Sequence, residues 1–505
     1  MIRFHVCDNE GSAKEWPLVN AHLLGPEDLA LPGRIRFRNG HIECAAKSGQ
    51  PLALCLLFDA GPSGNLMLQT CLLPERDEPY LLSLELARHR IKTFIVKSEE
   101  WQMFDLAAEH PAMKRWEEAR GLFTDAINMN DPLKADRAAQ RSLAVAIDST
   151  ERLAMSHAEI LLHRRYGTRP ASNATLGVRV WPERDAQPLR DLVEKEFDLL
   201  VLPIRWSKIE IEEGKLRWDR LDRWMQWAQA KGKPVIAGPL LDFSKKSVPR
   251  WMHVWQHDYD TVRDLTYDFI EKVVARYRAI VAIWNIASGI NINDNFEFKP
   301  AQMLDLTRMA NLLVKQSHKR ARTMLELAQP FGEFSAAGAD AVPPITFVDQ
   351  IVQEGIKVDC LGVRLLFGRA DDGLAMRDLM QISSLLDRLF LFELPVIISA
   401  TCVPDSPVSP DGGCWQESWT PRVQANWAAR MFAIAMSKPF VESMCWAELY
   451  DHDASELPGA GLISDSGKAK PVLNQLIGIR RRMRKPLGAL RAESASPESV
   501  QESES

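Results

Sequence analysis

No apolar stretch in this sequence approaches the roughly 18 residues that a membrane-crossing helix requires. Its start, MIRFHVCDNEGSAKEW, lacks a basic segment followed by an apolar run and a small-residue cleavage site, so a soluble, cytoplasmic protein is expected. The eight cysteines (Cys7, Cys44, Cys55, Cys71, Cys360, Cys402, Cys414 and Cys445) include no Cys-x-x-Cys pair and no histidine at zinc spacing. Neither a metal cage nor a disulfide framework is indicated, and the thiols are read as free and buried. Charge of one sign is also missing: 67 acidic against 62 basic residues leave a formal charge of -5 on 505 residues. That balance creates no field to recruit nucleic acid or an acidic membrane, and neither partner is expected.

What is present is ordinary globular composition, 46% apolar and 26% charged, with an unusual fifteen tryptophans. So many indoles suit a heavy core or a surface on which sugars stack, and the first use is the commoner one. The length allows two or three domains, of which one has room to be a barrel of more than about 200 residues.

Residues 1–100 carry short alternating runs, GRIRFRNGHIECAAKSG, LALCLLFDAG, LMLQTCLLPE and TFIVKSEEW, punctuated by Gly, Pro and Asn-Gly. The pattern predicts a small β-sandwich, with a hairpin at Arg38-Asn39-Gly40 because Asn-Gly tolerates the positive φ of tight turns. Over 101–170 the apolar spacing changes to three and four, which predicts a helical hairpin acting as a linker, with Gly167 as a helix stop. From 171 to 487, eight near-continuous apolar runs alternate with helix-length segments: LGVRV, LLVLPI, PVIAGPL, VAIWNIA, TMLEL, CLGVRLLF, PVIISA and SMCWAEL. Strands buried on both faces read this way, and eight of them predict an α/β fold, a closed (β/α)8 TIM barrel. No Gly-x-Gly-x-x-Gly follows the first of them, against a dinucleotide fold, and no cofactor is indicated. The Ser/Glu-rich tail, 488–505, is expected to be disordered.

Within the third region, WSKIEIEEGKLRWDRLD followed by AQAKGKPV and VPRWM resembles the second and third βα units of clan A glycoside hydrolases, most closely the family 10 xylanases. VDCLGVRLLF is similar to that family's sixth strand, LPVIISATCV to its seventh, and CWAELYD to its eighth. The resemblance covers most of 172–480 and leaves the first 170 residues outside it. It implies a glycosidase barrel with two catalytic carboxyl groups, one shuttling a proton and the other attacking the sugar carbon.

Both are missing from their expected places. The family's fourth strand ends Trp-Asp-x-x-Asn-Glu; laid on this chain it matches Trp284 and Asn285 but puts Ser288 at the asparagine and Gly289 at the acid/base. The seventh strand's nucleophile position falls on Ala400. On the sixth strand, Arg364 and Leu366 stand where the resemblance implies glutamine and histidine, and the histidine implied after the third strand is absent from AGPLLDF.

Four carboxylates near strand ends are the candidate replacements: Asp242, Asp294, Glu326 and Glu448. A charge inside apolar strand sequence, as at Glu326 and Glu448, is costly unless paired or protonated. Each is therefore read either as a partner for Arg179, Arg205 or Arg364 or as a catalytic acid. The implied substrate-binding residues are Trp206, Trp251, Trp284, Asn285, Arg364 and Trp446, with Trp181, Trp415 and Trp419 also near the mouth. The loop 406–419, SPVSPDGGCWQESW, is read as a lid or an ordinary surface loop.

Three functions stay open. One is a degenerate glycosidase that binds an oligosaccharide or a protein partner. The second is an active glycoside hydrolase with relocated carboxylates, and the third a cytoplasmic scaffold.

Overall fold

The computed structural model describes residues 1–8, 10–46, 49–170, 175–338, 340–371, 373–452 and 455–485. The tail predicted to be disordered, 488–505, lies outside the described residues. Among the described residues no helix is long and apolar enough to cross a membrane.

Eight parallel strands close into a barrel: Leu176–Arg179, Leu199–Pro203, Val235–Gly238, Val281–Ser288, Arg322–Leu327, Cys360–Leu366, Val396–Cys402 and Val441–Trp446. We call them barrel strands 1 to 8. They correspond to the eight apolar runs of the sequence, and nearly every residue in them is buried. Leu199, Val201, Ile236, Met324, Cys360, Ile397 and Cys445 meet inside the barrel, while their alternating neighbours pack outward against helices. That two-sided burial is why the strands read as continuous rather than alternating. The strand pairing slips by a residue near the C-terminal ends of strands 4, 6 and 7, at Asn285/Ala287, Val363/Arg364 and Ile398/Thr401. Such bulges re-aim side chains, and these sit where the barrel opens.

Two sheets form the N-terminal part. One joins Gly33–Arg38, His41–Ala46, Ile2–His5 and Tyr80–Leu81; the other joins Gly64–Gln69, Ala53–Asp59, His22–Leu24 and Ala30–Leu31. The Asn39-Gly40 hairpin forms as predicted, with φ of 49° and 75°. Strand Ala53–Asp59 is covered on both faces. Leu54, Leu56 and Phe58 enter the main core, while Ala53, Cys55 and Leu57 pack with Met67 and Ala375 of the barrel.

The second sheet gains a further strand, Cys414–Trp415, which comes from the loop after barrel strand 7 and pairs antiparallel with Gly64 and Asn65. The 406–419 loop is thus neither a free lid nor an ordinary surface loop. Trp415 and Trp419 are both buried; Trp415 donates to Glu151, and Trp419 donates to the Gly413 carbonyl at 2.9 Å.

Within 101–170 two helices, α2 (Pro111–Ile127) and α3 (Pro132–Tyr166), pack together, and a further helix, α1 (Leu82–Glu100), precedes them in the stretch expected to hold only strands. The run TFIVKSEEW, expected as a strand, lies at the end of α1. Its β-branched residues suggested a strand, but only Phe94 of Phe94-Ile95-Val96 is buried, whereas the larger spacing Leu82, Leu86, Ile91 and Phe94 lays one apolar stripe along a helix. In α2, Ala112, Ala119 and Ala126 make a small-residue face that lets α3 approach closely. Ser142 and Ser149 of α3 then donate to the Ala119 and Ala112 carbonyls at 2.7 and 2.9 Å. Asp131 caps α3 by accepting from the Leu133 and Lys134 N–H groups, with Pro132 at the first helical position.

Candidate functional site

The C-terminal ends of the barrel strands surround a cavity of about 360 Å³. Gly289, just past strand 4, and Ala400, on strand 7, both form part of its wall, as do Asp242, Asn285, Asp294, Glu326 and Arg364. Ala400 is the register partner of Arg364 across strands 6 and 7. The position of Gly289 is not only short of a carboxyl. Its φ is +64°, and a Cβ there would sit 3.2 Å from Ile292 Cδ1 and 3.3 Å from Ala328 Cβ. The backbone has a left-handed conformation that suits glycine and strains a side chain.

One side of the cavity is built from paired charges. Glu456, in the loop after strand 8, accepts from Arg179 and Arg364 at 2.8 Å each, with Arg205 at 3.5 Å. Burial alone would raise the Glu456 carboxyl, but Arg179, Arg364 and Arg205 outweigh it and hold the group well below the usual carboxylate range. Behind them lies Glu448, fully buried, accepting from the Trp181 indole N–H at 2.8 Å and from Arg179 at 3.4 Å. Of the two expected roles for Glu448, the structure places it in the paired one and off the cavity wall. The guanidinium groups of Arg205 and Arg179 lie 3.9 and 4.6 Å from the centre of the Trp181 ring. This ring is the one aromatic group among the described residues on the cavity wall, and its neighbours are these two cations.

The other side holds the remaining carboxylates. Glu326, 7% exposed, accepts from the Ser288 hydroxyl at 2.6 Å. Asp242 accepts from the Ser244 N–H at 3.0 Å and the Ser247 hydroxyl at 2.5 Å. Asp294 stands at the rim. Loss of surrounding water, followed by the nearby charge of Asp242, raises its pKa above the ordinary aspartate value. Asn285 is 3% exposed, and its Oδ1 accepts no hydrogen bond.

The four tryptophans expected to bind substrate are elsewhere. Trp284 and Trp446 are completely buried, Trp446 donating to the Ala460 carbonyl at 2.8 Å. Trp206 stacks on Phe269 with centroids 4.5 Å apart and donates to Glu210 at 2.7 Å, while Trp251 donates to the Glu210 carbonyl at 3.1 Å. These indoles hold the barrel wall together. None lines the cavity. The sequence reading missed Glu456, which sits in an aperiodic polar loop, and Gln329, Arg369 and Asp371, which complete the rim. Among the described residues no group of His, Cys, Asp or Glu is arranged to hold a metal ion.

A closed eight-stranded parallel barrel with a polar cavity at its strand ends defines a (β/α)8 protein of the kind whose active sites lie at that face. Residues 170–447 match the model of glycosyl hydrolase family 10, more than half of the chain, and the chain belongs to that family. A curated relative, endo-1,4-beta-xylanase 3 of Hypocrea jecorina (strain QM6a), is 26% identical over 87 residues, 17% of this chain and 24% of that protein. The match thus spans about a quarter of that relative's length. Among solved structures, native xylanase 10B from Thermotoga maritima is 14% identical with a TM-score of 0.48, covering 61% of this chain and 95% of that one. For xylanase B from Clostridium stercorarium F9 the figures are 14%, 0.47, 63% and 98%.

Proposed function

We propose that this chain is a catalytically degenerate member of its family, which binds a saccharide at the barrel mouth and does not cleave it by the two-glutamate route. The reading rests on Gly289 and Ala400. Both face the cavity at the ends of strands 4 and 7, neither supplies a carboxyl, and the φ of +64° at Gly289 disfavours any side chain there. A glycosidase without a proton donor and a nucleophile loses both halves of its chemistry. The cavity nonetheless keeps acceptors and donors enough to hold a small polyhydroxylated ligand.

A second reading is favoured by one observation. Asp294, its pKa raised above the ordinary aspartate value by loss of surrounding water and the charge of Asp242, shares the cavity wall with Asp242 and Glu326, and a carboxyl shifted in that direction is a candidate general acid.

Product analysis after prolonged incubation with xylohexaose and a panel of aryl glycosides separates the two. Intact substrate throughout, with saccharide binding detected by calorimetry, is the expected result. Cleavage that disappears in Asp294→Asn, Asp242→Asn or Glu326→Gln would replace the first reading by the second. Failure of every saccharide to bind would move attention to a protein partner.

A further inference from the structure

The charged groups around the cavity are unequally satisfied. Arg179, Arg205 and Arg364 all reach Glu456, and Arg179 also reaches Glu448. Asp242, Asp294 and Glu326 have no such partner: among the described residues no lysine, arginine or histidine makes an ion pair with any of them. Their hydrogen bonds come from neutral donors, Ser288 for Glu326, and Ser244 and Ser247 for Asp242.

A second observation points the same way. Asn285, almost wholly buried, lines the cavity with an Oδ1 that accepts nothing from the protein, and Gln329 on the same wall has an unpartnered Oε1. The unfilled side-chain groups at Asn285 and Gln329 are acceptors, while the one unfilled donor among the described residues of the cavity wall is Arg364 Nε. Buried polar groups are ordinarily satisfied, so a wall of vacant acceptors calls for a ligand rich in N–H or O–H donors.

Resting on the reading that the mouth binds a saccharide, we propose that the saccharide carries a protonated amino group, a hexosamine unit whose ammonium lies among Asp242, Asp294 and Glu326. Arg364 acts on Glu326 and Asp242, Arg205 on Asp242 and Lys245 on Asp294 only at longer range. An ammonium brings three donors and one positive charge into direct contact with these carboxylates, which a neutral sugar hydroxyl does not. The guanidinium groups paired with Glu456 line the same cavity and retain N–H donors, Arg364 Nε among them, for ring and hydroxyl oxygens of the same ligand. With Trp181 flanked by Arg179 and Arg205, recognition by polar contacts takes the place of ring stacking.

Calorimetric titration of the full chain at about pH 6, where a sugar amine is protonated, tests this with three trisaccharides: β-1,4-linked glucosamine, its fully N-acetylated form, and xylotriose. The glucosamine trimer is expected to bind at least about tenfold more tightly than the other two, a difference of about 1.4 kcal/mol. Added salt should narrow the gap. The isosteric pair Asp242→Asn with Asp294→Asn should bring the three ligands level, while Glu213→Gln, an exposed change outside the cavity, should leave the preference intact. Melting curves of each variant report whether it is folded. Neutral trimers binding as tightly as the amine, or a preference that survives the double substitution, would overturn the amine assignment and leave saccharide binding standing. No binding by any trimer would overturn both.

Discussion

Trp415 donates its indole N–H to Glu151 at 2.7 Å, so a residue of the loop after barrel strand 7 and a residue of α3 share one buried hydrogen bond. The same Glu151 oxygen accepts from the Leu379 N–H at 3.1 Å. Around it, Arg90 of α1 pairs with Asp378 in a fully buried contact. Barrel, helices and N-terminal sheets are thus tied through one polar knot.

Burial, followed by the charge of Asp378, pushes the Glu151 carboxyl up to about 7. A folded-state value above the unfolded one means that the native protein holds the proton longer. The stability it lends is complete below about 4.5 and is lost as the pH rises through about 7. Glu151→Gln keeps the acceptor for Trp415 and Leu379 without the charge. It should raise the melting temperature at pH 8 and leave it nearly unchanged at pH 5. Equal destabilisation at both values would count against this account.

Trp415→Phe removes the donor and leaves Glu151 short of a partner, at a cost of about 1–3 kcal/mol. Gly64 offers a backbone probe of the same seam. Its φ is +99°, and a Cβ would lie 2.3 Å from the Cys414 carbonyl oxygen. Gly64→Ala should unseat Cys414–Trp415 from the sheet, and limited proteolysis should then cut within 404–419 faster than in the parent protein.

Glu456→Gln would deprive Arg179, Arg205 and Arg364 of their shared counter-charge. Removing one partner from a largely buried ionic cluster costs about 3–5 kcal/mol, and urea denaturation should show a loss of that order. Glu456→Asp, which retains the charge on a shorter stem, should cost clearly less. Similar losses for both would mean that packing rather than charge holds the site.

Restoring the two glutamates should not restore an enzyme. Gly289→Glu forces a side chain onto a left-handed backbone at about 1–2 kcal/mol and presses on Ile292 and Ala328. The double change Gly289→Glu with Ala400→Glu is expected to lower the melting temperature and to release no aglycone from an aryl xyloside. Measurable turnover would show that the cavity still fits the family's transition state.

The barrel was legible because its strands, covered on both faces, admit almost nothing but apolar residues, and runs such as VIISA and LLVLP announce that constraint directly. Gly289 and Ala400 were legible as departures from a resemblance, and both lie on the cavity wall. Tryptophan misled. At Trp284 and Trp446 the indole fills the barrel body, and nothing in a one-dimensional pattern distinguishes a ring turned into the core from one turned toward a ligand. Glu456 was invisible for a different reason. It lies in DHDASELPG, with no periodicity to place it, and its importance comes from arginines that are remote along the chain and adjacent only after the barrel closes.

The strand that Cys414–Trp415 lends to the N-terminal sheet also fixes an order of events during synthesis. Asn65 donates to the Pro410 carbonyl across 345 residues, so during synthesis this sheet has one edge open until the chain has grown by that length. An open edge is a template for unwanted pairing. Cutting the chain at the apparent boundary near residue 170 would make that transient condition permanent. Neither half should then be obtained in quantity as a well-behaved monomer, whereas the two halves expressed together as separate chains have the surfaces needed to find each other.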